Sequence, residues 1–388
     1  MTKKPTALVL QGLEPGHREL VRWLVQKDLC SEVRVIDKTI PALANLSPED
    51  TEVFKKVDFV QANIVNPSVW PRAFTRSADS DDETRGSHWN YVFCCQLTQK
   101  PGQIEEIYQS ITYDMAIEAA KEFLKHKCDL FIYLNLLGLS YSSQSPYSAA
   151  ESVIRQHAYP FLRYQAKADL ALQQMEGLNL LILRSVLPWG PDSIGDMARV
   201  LTMGRVYKEL GEPLFSLYAE NMACHTIHMD DVVGATWQAT QWYGDKEKSG
   251  TVIFNLVDQG KTTHGDILRA VGKVFDIPIQ VLGPIKLKMY HIALKMEMVR
   301  DEVNEKHMKP WAKLLEDSGI QNSPLSPYID ESYLQFEEVS VDGSKLVRET
   351  GYQYTCSGVT VDGLKAQVAS YQRAGIWPKD PPCEEDES

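Results

Sequence analysis

The stretch Ala7-Leu8-Val9-Leu10-Gln11-Gly12-Leu13-Glu14-Pro15-Gly16-His17-Arg18-Glu19-Leu20-Val21 decides the fold. Four consecutive apolar residues suit a strand buried on both faces, a segment with two glycines and a proline breaks it, and a helical pattern takes over near Arg18 and runs to Lys27. A second apolar run, Val33-Arg34-Val35-Ile36, follows and closes on Asp37. Strand, helix and strand in that order make one parallel unit, because parallel neighbours need a crossover connection. Working outward, strand-like runs recur at Phe59-Val60-Gln61, Tyr91 to Cys95, Leu130 to Leu134 and Leu180 to Leu183. Between the last two of the first five, Asp114 to Lys127 carries Met115, Ala119, Ala120, Phe123 and Leu124 on one helical face, with acid at its start and lysines at its end. The pattern predicts a doubly wound α/β sheet covered by helices on both faces, with any ligand at the carboxyl ends of the strands.

The 388 residues, 44% hydrophobic and 24% charged, suffice for a full-sized core. A formal net charge of −12 argues against nucleic acid and anionic membrane as partners, since both are held by clustered Lys and Arg. The seven cysteines are odd in number and scattered, without CxxC spacing, and read as reduced thiols of a cytoplasmic protein. The first strand starts too near Met1 for a secretory or transit segment. The longest apolar run, Leu130 to Leu139, is far short of the roughly 20 residues of a membrane span. Ser77 to Gly86 reads as a polar surface insertion, and residues 378–388 as an acidic tail too poor in apolar residues to pack. The expected division is a sheet-bearing core over 1–195 that continues through 220–260, and a smaller mixed lobe over 196–377.

Further signposts follow in order: Leu183-Arg184 before Trp189-Gly190-Pro191, then His228-Met229-Asp230-Asp231-Val232-Val233, Phe254-Asn255-Leu256, and Val341-Asp342-Gly343-Ser344-Lys345 before Gly351-Tyr352. Their order over residues 5–377 resembles the NAD-dependent epimerase/dehydratase group of extended short-chain dehydrogenases. That resemblance implies a Rossmann-type fold with a C-terminal substrate lobe, and NAD or NADP if any cofactor binds.

The resemblance also shows what is missing. Where the family has GxxGxxG at the phosphate-binding turn, matching Arg18-Glu19-Leu20-Val21 to the helix start puts Gln11, Glu14 and His17 at the glycine positions, leaving Gly12 and Gly16 out of register. Side chains there obstruct the pyrophosphate, and a Glu14 carboxylate repels it. A rearranged turn lined by Gly12 and Gly16 is the alternative. Asp37 stands where the family accepts hydrogen bonds from the ribose, or simply ends its strand; Asn63 stands where an adenine-contacting Asp is common. Gln96 and Leu97 replace small residues beside the cofactor. The family's catalytic Ser, Tyr and Lys correspond to Leu136, Arg163 and Lys167. Tyr164 with Lys167 is a displaced pair, three residues apart instead of four, and Asn135, Ser140 or Ser142 would have to replace the serine.

No catalytic residue is therefore assigned beyond the remnant Lys167 and the displaced Tyr164. Cys224, His225, His228, Asp230 and Asp231 have metal-like spacing, but the family junction already accounts for His228 to Val233, and no metal site is assigned. Cys94 and Cys95 point to opposite faces of a strand and read as buried small hydrophobes. Met289, Met296 and Met298 read as core residues. Two function classes stand: a non-catalytic protein using the fold to bind a protein partner or another copy, and an active oxidoreductase or epimerase with a Tyr164–Lys167 site. The resemblance places the association surface on the helices Asp114 to Lys127 and Ala158 to Gln174.

Overall fold

A computed structural model describes residues 4–14, 16–76, 88–96, 103–136, 159–245, 249–330, 334 and 338–379. The insertion at 77–86, Leu97, Ser140, Ser142 and the tail from 380 onward lie outside them.

Seven strands form one parallel sheet: β1 (Thr6–Leu10), β2 (Glu32–Asp37), β3 (Asp58–Gln61), β4 (Tyr91–Gln96), β5 (Leu130–Asn135), β6 (Leu180–Ser185) and β7 (Thr251–Leu256). Their spatial order is β3-β2-β1-β4-β5-β6-β7, the doubly wound arrangement extended by one strand from the C-terminal half. Alternation of side chains explains why these strands read as continuous apolar runs. Ala7, Val9, Val35, Phe93, Ile132 and Leu183 face one core layer, whereas Leu8, Leu10, Ile36, Val92, Phe131 and Ile182 face the other. Each fully buried Leu, Val, Ile or Phe contributes about 1.5–3 kcal/mol, so the sheet needs a helix on either side. Cys94 and Cys95 divide between the same two layers.

Helix α1 (His17–Gln26) crosses from β1 to β2. The helix read at Asp114 to Lys127 is longer at its start: Glu105–Tyr108 leads into a π-helical segment, Gln109–Asp114, and then into α2 (Met115–Lys125). Helix α3 (Pro160–Gln173) precedes β6. Beyond residue 195, helices Asp196–Leu210, His264–Phe275, Glu297–Asp317 and Val361–Arg373 pack with two short parallel strand pairs, Leu187–Trp189 on Thr226–His228 and Leu214–Phe215 on Ile279–Gln280. Among the described residues no helix is long and apolar enough to cross a membrane.

The methionine expectation is overturned. Met289, Met296 and Met298 are 64%, 56% and 76% exposed: the helix Pro284–Lys295, which carries Met289, lies on the surface and buries only Leu294, and Met296 and Met298 stand at the start of the helix that follows, Glu297–Asp317. Apolar residues on every side of a short helix gave no sign of which side would be covered.

Candidate functional site

Strand β1 ends at Leu10, and Gln11 then adopts a left-handed conformation with φ of 57°. Its N–H donates to the Ile36 carbonyl at 2.7 Å, which anchors the turn to β2. Gly12 lies where α1 crosses the strands: a Cβ there would stand 2.8 Å from Val35 Cγ1 and 3.2 Å from Val21 Cγ2. Gly16 opens the helix at φ 86°, a conformation that costs glycine nothing. Both glycines therefore serve the backbone of the turn.

The backbone N–H groups of Gln11, Leu13, Glu14, His17 and Arg18 are bonded inside the protein. Leu13 N–H donates to Asp37 Oδ2 at 3.1 Å and Glu14 N–H to the Gln11 carbonyl at 3.1 Å. His17 and Arg18 N–H both donate to the Glu14 carbonyl, at 3.0 and 3.3 Å. In a dinucleotide site the donors at the start of this helix face a pyrophosphate. Here Glu14 supplies the acceptor instead. The buried His17 ring completes the closure, donating from Nδ1 to the Gln11 carbonyl at 2.9 Å. Arg18 Nε donates to the Leu13 carbonyl at 2.7 Å, and its guanidinium reaches the Ala44 and Asn45 carbonyls, which ties the turn to the chain beyond β2.

Asp37 does not offer its carboxylate to a ribose. It is 3% exposed, with Oδ2 accepting from Leu13 N–H and Oδ1 from Thr39 N–H at 2.9 Å. Burial raises this carboxyl above the usual carboxylate range, and the two backbone donors oppose the shift. The strand-ending alternative for Asp37 is the one the geometry follows.

A cleft of about 310 Å3 remains at the carboxyl ends of β1 to β4, at the small end of the roughly 300–1,000 Å3 typical of ligand sites. Gln11, Glu14, His17, Lys38, Asn63 and Gln96 line it, so the structure brings Asn63 to the same space as the three residues expected at the glycine positions. Gln96 is held from several sides. Its Nε2 donates to the Thr112 carbonyl inside the π-helical segment at 2.8 Å, and its Oε1 accepts from the Tyr133 hydroxyl at 2.8 Å. Wider π pairing opens the helix ladder locally, and Gln96 meets a carbonyl there. Gln165 Nε2 donates to the Gln96 carbonyl at 2.6 Å, while Leu136 N–H donates to Gln165 Oε1 at 3.2 Å. This network fills the ends of β4 and β5 with the protein's own amides.

Among the described residues the catalytic replacements do not assemble. Leu136, at the serine position, is 2% exposed. Asn135 is fully buried and donates to Asp169 Oδ2 at 3.4 Å, beside a wholly buried Arg184–Asp169 ion pair with contacts of 2.8 and 3.0 Å. It cannot stand in for a substrate-facing serine. The Tyr164 hydroxyl donates to Glu105 Oε1 at 2.9 Å, and Arg163 bridges the same carboxylate oxygen at 2.7 Å. That hydrogen bond raises the Tyr164 pKa, the opposite of what a tyrosinate base requires. Lys167 is exposed and sits 4.5 Å from the centre of the Tyr164 ring, over its face. Tyr164 and Lys167 thus meet as a cation and a ring.

Sequence reasoning missed Gln165, Thr112, Tyr133 and Glu105. Gln165 lay inside the inspected motif, two residues before Lys167, but a comparison of positions 163 and 167 passes over it. Glu105 is 59 residues from Tyr164 and gave no local signal.

The junction at His228 to Val233 is built differently. Asp231 Oδ1 accepts from the Tyr352 hydroxyl at 2.8 Å and from the Thr355 N–H and hydroxyl at 2.8 and 3.0 Å, and Oδ2 accepts from Cys356 N–H at 3.0 Å. The His228 ring packs edge-on against Trp189 with centroids 4.8 Å apart, and His225 Nδ1 accepts from Val341 N–H at 3.0 Å. These side chains of the metal-like cluster fasten the C-terminal segments to the strand-helix junction.

The sequence matches no family profile and no curated protein. Solved structures match over nearly the whole chain. ADP-L-glycero-D-manno-heptose-6-epimerase of Helicobacter pylori is 12% identical with a TM-score of 0.64, covering 95% of this chain and 97% of its own. UDP-glucuronic acid 4-epimerase of Bacillus cereus is 14% identical with a TM-score of 0.64, at 95% and 99% coverage. UDP-glucose 4-epimerase of Thermotoga maritima is 15% identical with a TM-score of 0.60, at 95% and 99% coverage. The chain shares the fold of these epimerases.

Proposed function

We propose that this chain is a non-catalytic protein of the dehydrogenase fold that uses the scaffold to bind a partner. The observation that carries the reading is the closed turn. The N–H groups of Gln11, Leu13, Glu14, His17 and Arg18 are paired within the protein, and both oxygens of Asp37 accept from backbone. The residues present do not fit a dinucleotide: binding one would break several of these bonds and set its phosphates against Glu14. Leu136, Asn135 and the Tyr164–Glu105 bond support the same reading at the catalytic positions.

Titration of the purified protein with NAD(H) and NADP(H), read by thermal shift and tryptophan fluorescence, tests it. No shift is expected at millimolar cofactor. A saturable rise in Tm would establish binding to the native state and overturn the reading. Association through α2 and α3 belongs to this proposal. Leu170 on α3 is 41% exposed, and Leu170→Glu should change the mass seen by light scattering if copies pair there.

A further inference from the structure

The helix Pro284–Lys295 presents apolar side chains on both its inner and outer faces. On the inner side Leu294 is 1% exposed, and His291 bonds the Leu217 carbonyl while its ring packs against Tyr218 at 5.4 Å. At about 100° per residue, Ile285, Met289, Ile292 and Met296 form one stripe on the side opposite Leu294. They are 78%, 64%, 59% and 56% exposed. Lys288 and Lys295 flank the stripe on one side and Lys286 on the other. Beside the helix runs an open groove of about 510 Å3, whose lining includes Met222, Leu287 and Ile292 together with Lys288 and Lys295.

We propose that this helix lies on an anionic lipid surface, its stripe among the acyl chains and its lysines among the headgroups. The proposal is independent of whether the dinucleotide cleft is closed. A solvent-facing apolar stripe needs a cover, and lysines on both flanks suit a flat negative surface, where their stems run along the apolar boundary and their ammonium groups reach the headgroups. The net charge of −12 argues against such a surface only as a whole-molecule average. Screening limits charge effects to about 8–10 Å at physiological salt, and the helix Pro284–Lys295 itself carries Lys286, Lys288 and Lys295 and no carboxylate, while Glu297, Arg300, Asp301 and Glu302 belong to the helix that follows. A second copy docked stripe to stripe would set these cations against each other.

The test is flotation of the full chain with phosphatidylcholine vesicles, with and without phosphatidylserine. Binding to the phosphatidylserine vesicles alone is expected, weakening as salt is raised. Ile285→Glu and Met289→Glu should each abolish it, and Lys288→Gln and Lys295→Gln should each weaken it by about fivefold, the share of one cation near such a surface. All four positions face solvent, so an unchanged melting temperature confirms that the variants fold. Absence of flotation, or flotation that ignores these substitutions, overturns the proposal. It is also overturned if the wild type is an oligomer that Met289→Glu dissociates, because the stripe is then a contact between copies.

Discussion

Two aspartates hold the two ends of this molecule with the same chemistry and opposite consequences. Asp231 lies in the first turn of the helix Met229–Asp245 and gathers Tyr352, Thr355 and Cys356 of the C-terminal chain around its two oxygens. Asp37 ends β2 and gathers Leu13 and Thr39. At the joint a carboxylate that bonds backbone N–H groups fastens chain to chain and takes nothing from a ligand site. At the turn the same bonds engage an acceptor and a donor that a dinucleotide would need. The fold tolerates the second because a parallel sheet is held by its buried faces, and the loops at its carboxyl ends can be rebuilt without disturbing them.

The largest effect should come from the joint. Asp231→Ala removes every acceptor of the cluster and breaks four hydrogen bonds from part-buried donors of Tyr352, Thr355 and Cys356, at a cost of about 3 kcal/mol. Chemical denaturation of the variant measures this. A loss below about 1 kcal/mol would show that the segment 352–356 is held by packing alone. Asp37→Ala should cost less, about 2 kcal/mol, because it strands Leu13 N–H and shortens the hold on one turn. If the two substitutions cost the same, the distinction between a joint and a closed site fails.

The double variant Glu14→Gly, His17→Gly removes the carboxylate that repels a phosphate and the ring bonded to the Gln11 carbonyl. It should bind NAD or NADP at least about tenfold more tightly than the wild type, equivalent to about 1.4 kcal/mol. Calorimetric titration checks it. The variant should remain without turnover, since Leu136 and Arg163 still occupy the serine and tyrosine positions. It should also melt lower without ligand, because glycine enlarges the freedom of the unfolded chain.

The smallest effect concerns pH. The folded-state pKa of Asp37 is raised by burial, so above the unfolded value of about 3.9 the folded state holds its proton more firmly than the unfolded chain. In that window folding is favoured by acid, and the contribution is lost as pH rises through the raised value. The stability of wild type relative to Asp37→Asn should therefore fall as pH rises above about 4. A rise over the same range would mean that the two backbone donors outweigh burial.

Much of this was legible without coordinates. The apolar runs announced both the strands and their burial on two faces, because alternation places neighbouring residues in separate cores. The replaced residues at positions 11, 14, 17, 136 and 163 were visible as departures from the pattern that the resemblance implies. The sequence could not say what those replacements do. Asp37 read equally as a ribose acceptor and as the end of a strand, and its bond to Leu13 crosses 24 residues. Asn135 read as a replacement for the serine until its burial beside Asp169 removed it. The methionines read as core because an apolar helix does not declare which side the fold will cover.

The sequence by itself determined the layered sheet and the residue types at the site, since periodicity and local turn chemistry are properties of neighbours along the chain. Only the tertiary structure decided that the turn is closed and that the stripe on Pro284–Lys295 faces outward. Both depend on which distant groups arrive within hydrogen-bond or packing distance, and that is fixed by the crossing of helices over the sheet.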